Sequence, residues 1–349
     1  MGAGDMGHHA DGIYFGLPEN EYHADDALGS SDLKQLAVDA VDWQYDRLFG
    51  DDAETDALVF GRALHCRVLE GRAQFDALFC GELDKPDDVL VTVADLEAWL
   101  GARNIPAKGK KADLIQAAMN APGDKPLIWD LLREDFEARN AEKTILSAKV
   151  IAQVETAAQW MQADVTLSAS MQDGTFQHGA PEVSVFATVE GVRMKARFDY
   201  LIGHAIIDLK SFSTMFREVP ANSITRAIVR QRYDLQAAHY VNMWHHGRDL
   251  YASGKVFGIE PDGLMRSVYS RKHPLWIWVF LKSVMAPQPY VRSLSHEEIV
   301  FGVAQNGVAR AFATYRDMVA AHGAEKPWPP SNPPEALSTD DFPSWFQDT

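Results

Sequence analysis

The sequence predicts an α/β fold: a mixed central sheet flanked by helices, interrupted by a small helical insertion. Three observations predict it. Residues 182 to 212 read as three successive strands with period-two alternation and a tight turn between the first two. Segments with helical start and stop signals precede and follow that block. A further apolar run, WIWVFL at 276–281, supplies another buried strand.

Along the chain, the serines of Ser30-Ser31 can cap a helix that runs through DLKQLAVDAVDWQYDRL. A second helix covers Asp56 to Glu70, is closed by Gly71, and carries His65. Residues 89–121 read as two short amphipathic helices around a Pro/Gly/Lys-rich loop, a self-contained unit. Another helix spans roughly Ser147 to Ala163. From Glu182 to Glu190 the chain alternates, with Val183, Val185, Ala187 and Val189 on one face, and Glu190-Gly191 turns it into a hairpin. The second strand, VRMKARFDYLI, puts Arg193, Lys195, Arg197 and Asp199 on one face by the same period. The third, AIIDLKSF, puts Asp208 and Lys210 together, with Ile207 and Leu209 opposite. A helix from about Asn222 to His246 ends at Gly247, a last helix covers Ser295 to Ala321, and a Pro-rich surface tail begins at Lys326. The implied division is residues 1–88, the N-terminal helical part of the main domain; 89–122, the insertion; 123–330, the α/β core; and 331–349, a Pro/aromatic tail.

The 349 residues, 46% hydrophobic, can bury a sizeable core. No apolar run reaches the roughly 18 residues of a membrane span and the start carries no apolar signal, so the expectation is a cytoplasmic protein with no membrane partner. Two cysteines, Cys66 and Cys80, are too few for a four-cysteine cluster and read as reduced thiols. The net charge of −16 argues at first against nucleic acid, whose affinity comes from basic residues displacing counterions. Between Gly191 and Arg232, however, eight basic residues (Arg193, Lys195, Arg197, Lys210, Arg217, Arg226, Arg230, Arg232) face three acidic ones, a local balance of +5. A basic zone in an acidic protein can guide DNA to one groove; an ordinary solvated patch has the same composition.

The pattern Asp199, Asp208, Lys210 carries the chemistry. Phosphodiester cleavage needs an activated water and a means to neutralise charge on the phosphate, and a hard divalent cation supplies both. Magnesium takes few carboxylates and keeps waters and substrate oxygens, so two acids on adjacent strands suffice. Lys210, two residues past Asp208, can stabilise the developing charge. An Asp-x-Lys on a strand is ordinarily a surface ion pair; inside an apolar strand, inward charges are costly without a role.

The order His65, Glu182, Asp199, Asp208-x-Lys210, Gln236-x-x-x-Tyr240 resembles the RecB-like branch of the PD-(D/E)XK nucleases, and the flanking text resembles the RecE, or exonuclease VIII, family. NEYHADDALGSSDLKQL, LVFGRALHCRVLEG, RFDYL, RYDLQAAHY, PYVRSL, WPP and FPSWF carry that resemblance over nearly the whole chain outside 89–121. It implies a restriction-endonuclease-like core in which His65, Asp199, Asp208 and the carbonyl of Leu209 ligate Mg2+, with Mn2+ as a substitute. It also implies that Lys210 assists the water, that Glu182 is a core-strand acid, and that Gln236 and Tyr240 face the active site. An iron–sulfur cluster is excluded by the cysteine count. The implied activity is exonuclease digestion of duplex DNA ends, 5′ to 3′, with the product strand passed to a single-strand annealing protein in phage or prophage recombination. An endonuclease or single-strand nuclease of the same fold, or a non-catalytic DNA-binding protein, remains the alternative, and a homo-oligomer is left open.

The insertion VTVADLEAWLGARNIPAKGKKADLIQAAM resembles a SAP-type helix–loop–helix. That resemblance implies phosphate contacts by Lys108, Lys110 and Lys111, with a decorative hairpin as the alternative; the basic zone of the main domain adds Arg193, Arg197, Arg230 and Arg232 as candidate DNA contacts.

Overall fold

The computed structural model describes residues 8–50, 55–106, 108–214, 217–283, 286–330, 338 and 341. The expected tail, including FPSWF, falls almost entirely outside the described residues. Seven strands form the central sheet: β1 (Gly12–Tyr14), β2 (Gly179–Val189), β3 (Val192–Ile202), β4 (Ala205–Phe212), β5 (Val256–Phe257), β6 (Leu275–Lys282) and β7 (Pro289–Leu294). Their order is β7-β6-β4-β3-β2-β1-β5. β6 runs parallel to β4, and β5 parallel to β1; the other neighbours are antiparallel, so the sheet is mixed as expected.

The helices that cover the sheet or form the insertion are α1 (Ser30–Leu36), α2 (Asp56–His65), α3 (Val93–Gly101), α4 (Lys111–Asn120), α5 (Ala148–Ala163), α6 (Pro220–Arg230), α7 (Tyr233–Ala252) and α8 (Ile299–His322). Two cores lie on opposite faces of the sheet. Ile206, Phe212, Trp276, Trp278 and Phe280 pack against α1, α7 and α8. Ile207, Leu209, Val279 and Leu281 pack against α2 and α5. β4 and β6 therefore carry buried apolar side chains on both faces, as strands covered by helices on both sides do, with Asp208 and Lys210 interrupting one face of β4.

Local chemistry adjusts several sequence-based boundaries. The helix expected through DLKQLAVDAVDWQYDRL is two helices, because the Asp39 carboxylate accepts from the amides of Val41 and Asp42 and starts a new one at Ala40–Phe49. The helix expected from Asn222 to His246 is likewise broken, at Arg232, whose backbone is left-handed at φ 50°. Gly247 does not end α7. It lies inside the helix, where a Cβ would stand 2.3 Å from the Tyr269 hydroxyl, so glycine here permits close packing. The Glu190-Gly191 turn forms as expected, with both residues at positive φ (47° and 82°). The start of the expected surface tail is buried: Trp328 is 3% exposed, touches the Trp43 ring, and donates from its indole to the Gly323 carbonyl.

The segment around α3 and α4 has its own small core of Leu96, Leu100, Leu114, Ala118 and Ile128. Thr92 caps α3 by accepting from Asp95 N, while the Asp95 carboxylate accepts from Thr92 N. Among the described residues no helix is long and apolar enough to cross a membrane.

Candidate active site

The site forms where the sheet loses its regularity. Pairing of β2 with β3 steps from Pro181↔Tyr200 to Val183↔Phe198, leaving Glu182 and Asp199 unpaired opposite one another. On the hairpin side of that step Val183, Val185, Met194, Ala196 and Phe198 face the α7 core. Beyond it Ala180 and Leu201 do, and Tyr200 turns to the opposite core. The alternation thus changes phase on both strands at once, which preserves the register on either side. Glu182 accommodates the change with a left-handed backbone at φ 52°. Unbroken period-two alternation predicts Asp199 on the face of Arg193, Lys195 and Arg197; the phase change removes it from that face.

β3 and β4 pair only from Tyr200↔Ile207 to Ile202↔Ala205. Past that point the ladder gives way to a side chain: the Leu209 amide donates to Asp199 Oδ2 at 2.8 Å. The gap between the parted strands is therefore lined by acids. Asp208, on β4, is 1% exposed, and its Oδ1 accepts from Lys210 Nζ (2.7 Å) and Gln236 Nε2 (3.0 Å). Its Oδ2 is buried with no hydrogen-bond partner among the described residues. An unpaired buried carboxylate oxygen is costly and calls for a ligand.

His65 ends α2 at the point where the helix widens into a π turn, Cys66–Glu70, and Gly71 (φ 96°) stops it. The ring donates from Nε2 to the Leu209 carbonyl at 2.9 Å, and Nδ1 lies 3.7 Å from Asp199 Oδ2. Gln236 and Tyr240 are one turn apart on α7 and both are buried over the same site. The structure thus brings together His65, Glu182, Asp199, Asp208, Leu209, Lys210, Gln236 and Tyr240.

Electrostatics follow from this crowding. Burial, reinforced by the Asp199 charge, pushes the Glu182 carboxyl up to about 7 although Arg197 opposes it. Burial also raises Asp208, to about 6, against the pull of Lys210, with Asp199 again adding to the rise. Lys210 is raised despite burial because Asp208 and Asp199 hold its proton. The Tyr240 hydroxyl is raised by burial and by Asp199.

Among the described residues, no cluster of three or more His, Cys, Asp or Glu side chains converges into a ready-made metal cage. The reason is visible: His65 is bonded to the Leu209 carbonyl, and Asp208 Oδ1 to Lys210 and Gln236. Magnesium needs no such cage, because it binds through one or two carboxylates and keeps waters and substrate oxygens. Asp199, the free Oδ2 of Asp208 and the Leu209 carbonyl are oxygen donors of that kind, so the donor set fits a hard divalent cation.

The basic residues expected on DNA are mostly engaged elsewhere. Arg193 pairs with Asp25 (2.9 Å) and Asp26 (2.5 Å). Lys195 donates to the carbonyls of Tyr22 and Asp25. Arg197 pairs with Glu182 at 2.5 Å and donates to the Leu17 carbonyl. Arg226 pairs with Glu218, and Arg232 with Asp234 at 3.1 Å. The local excess of +5 is therefore offset by acids from other segments and does not form an open basic patch; Arg230 stands exposed at the end of α6. In the insertion, Lys108 and Lys110 are exposed, and Lys111 pairs with Asp130 at 2.6 Å.

Two site residues escape sequence reasoning. Lys34, on α1, donates to Gln236 Oε1 at 3.0 Å, and its ammonium is lowered to about 8 by burial and by the Lys210 charge. The Tyr233 ring lies under both Lys34 and Lys210, 5.2 and 5.3 Å from its centroid. Nothing in a short amphipathic helix marks one lysine as inward-facing.

Residues 27–257 match the family described as "PDDEXK-like domain of unknown function (DUF3799)", a span that contains every residue of the site. Among curated proteins none matches the chain. A crystal structure from Eubacterium rectale, described as a "Putative exonuclease", is similar over 93% of this chain and 97% of that one, at 13% identity and a TM-score of 0.37.

Proposed function

The chain belongs to the DUF3799 family of PDDEXK-like domains, and on that premise we propose that it is a metal-dependent exodeoxyribonuclease. It degrades linear double-stranded DNA 5′ to 3′ and leaves a single strand for recombination by an annealing protein. PDDEXK nucleases generally use divalent metal ions; in this reading the ion is Mg2+, with Mn2+ as a substitute. The observation that carries the proposal is the buried Asp208 carboxylate, held through Oδ1 by Lys210 and Gln236 with Oδ2 left without a partner. Asp199, Asp208 and the Leu209 carbonyl would hold the cation, with His65 beside them. The ion supplies Lewis-acid stabilisation of the phosphate and a more acidic water. Lys210 keeps its proton and offers positive charge to the phosphate as negative charge accumulates there. Gln236 fixes the Asp208 carboxylate, and Tyr240 closes the floor of the site. Glu182, opposite Asp199 and held by Arg197, stands as the third acid at the edge of the site. Arg230, Arg232 and the insertion lysines Lys108, Lys110 and Lys111 are assigned to the DNA backbone, which carries no sequence information.

The test is digestion of linear and covalently closed duplex DNA with and without magnesium, the linear form labelled at the 5′ or the 3′ end. Early release of 5′ label from linear DNA, with closed circles intact, is expected. Rapid cutting of circles would make the enzyme an endonuclease, and early 3′ release would reverse the polarity.

A further inference from the structure

The Gln236 carboxamide has two unlike ends, and only one orientation suits its place. A carboxylate accepts hydrogen bonds and donates none, so contact with Asp208 Oδ1 requires the Nε2 end. The opposite orientation would set two acceptors against each other. Once Nε2 is committed, Oε1 needs a donor, and Lys34 Nζ supplies it at 3.0 Å from a segment 202 residues earlier in the chain. The contact ties α1 to α7: Lys34 bonds Gln236, and Leu33 and Leu36 of α1 share a buried core with Leu235 and Tyr240 of α7.

From this geometry we propose that Lys34 is a positioning residue of the site. By holding the Gln236 carboxamide in the orientation that donates to Asp208 Oδ1, it fixes the carboxylate rotamer that presents Oδ2 to the cation. The inference rests on the proposed nuclease activity for its kinetic consequences, but not for the contact itself.

The primary readout is independent of catalysis. In the metal-free 349-residue chain, the side-chain amide protons of Gln236 should give two distinct, protected signals in a proton–nitrogen spectrum, assigned by their loss in Gln236→Leu. Lys34→Met should shift both and speed their exchange with water by about tenfold or more, while Lys34→Arg, which keeps a donor, preserves protection. Mn2+ affinity of the DNA-free protein should weaken in parallel. In single-turnover digestion Lys34→Met should lower the maximal rate about tenfold, equivalent to ~1.4 kcal/mol, with half-saturating DNA unchanged. Adding Lys34→Met to Gln236→Leu should cost nothing further, since the first acts through the second.

Additive losses in the double variant, or unchanged Gln236 signals, overturn the proposal. So does a rise in half-saturating DNA with a lower salt slope and an unchanged maximal rate, because Lys34 would then contact DNA directly. Should Lys34→Met fail to fold, Lys34→Gln, a shorter neutral donor, carries the same measurements. Wild-type protein that binds Mn2+ yet cuts no DNA would sink the nuclease reading alone, leaving the amide signals and Mn2+ affinity to decide the role of Lys34.

Discussion

The two ends of β3 bury charge in opposite ways. Toward the hairpin turn, Arg193, Lys195 and Arg197 are matched by Asp25, Asp26, Glu182 and four backbone carbonyls, most of them brought in by the N-terminal segment. Toward the parting of β3 from β4, Lys210 is the lysine bonded directly to Asp208, Lys34 stands one residue further off on Gln236, and one carboxylate oxygen of Asp208 has no partner among the described residues. The first arrangement is complete and rigidifies the fold. The second is incomplete, and its deficit is what a cation would remove. Buried charge alone therefore does not mark the site; uncompensated buried charge does.

Asp208→Ala tests the incomplete end most severely. It removes the oxygen that a cation would bind, and forfeiting several kcal/mol of Lewis-acid stabilisation should lower cleavage by about a thousandfold or more. Circular dichroism should show the fold retained. Substantial magnesium-dependent digestion by this variant would remove Asp208 from the mechanism.

A pair of lysine variants sharpens the contrast. Lys210→Ala should reduce the single-turnover rate about a hundredfold, the usual cost of removing one preorganised group at a developing charge, with much less effect on metal affinity. Lys195→Met should do the reverse. It orphans the Tyr22 and Asp25 carbonyls and should lower stability by about 1–3 kcal/mol, while activity per folded molecule is unchanged. Equal effects of both variants on rate would erase the distinction between the two ends.

The sheet-forming block, the hairpin turn and the face shared by Asp208 and Lys210 are legible in the sequence, because all three are local. The phase change at Glu182 and Asp199 is not, since it depends on paired irregularities in two strands and a left-handed glutamate. Nor can a charge count along 191–232 see Asp25 and Asp26, whose contacts with Arg193 span 168 and 167 residues. His65, Gln236 and Tyr240 emerge only through the order they share with a nuclease family, since each residue alone is an ordinary helix residue. Lys34 belongs to the stretch NEYHADDALGSSDLKQL but carries no local sign that it turns inward.

Raised and lowered carboxyls should also respond oppositely to pH, with Glu182 siding with Asp208 although it pairs with Arg197. Asp208 and Glu182 have folded-state values raised to about 6 and about 7, above those of the unfolded chain. Their contribution to stability is fully present below the ordinary carboxylate range, near pH 4, and lost as pH rises through 6 and 7. Asp25 has the opposite sign: despite burial, bonds from Arg193 and the His9 and Ala27 amides hold its carboxyl well below that range. Its contribution is present above pH 4 and lost in stronger acid. Neutral His239 and His245, both lowered to about 4 by burial, act in the opposite direction over the same range, so the difference made by magnesium isolates the raised carboxyls: the ion should raise the melting temperature more at pH 8 than at pH 5.5. Thermal melts over that range check this; equal stabilisation by magnesium at both values would mean that no raised carboxyl lies at the cation site.

The smallest effect is expected in a third kind of place, where charge is exposed and at most loosely matched. Lys108 and Lys110 are exposed ahead of α4, and Lys111 is held by Asp130 in a pair whose members are each about one-third exposed. An exposed pair of that kind is worth little, about 0.2–1 kcal/mol, so a phosphate can displace Asp130 at small cost. Replacing Lys108, Lys110 and Lys111 together with alanine should weaken duplex binding evenly across sequences. It should also flatten the dependence of log affinity on log salt by about one unit for each phosphate no longer neutralised. Lys108→Ala alone should account for more of that change than Lys111→Ala alone, because only Lys111 must first leave a partner. Cleavage at saturating DNA should persist in all three variants, since the cation ligands lie on β3 and β4. If affinity and salt slope are both unchanged in the triple variant, the α3–α4 hairpin meets something other than the DNA backbone.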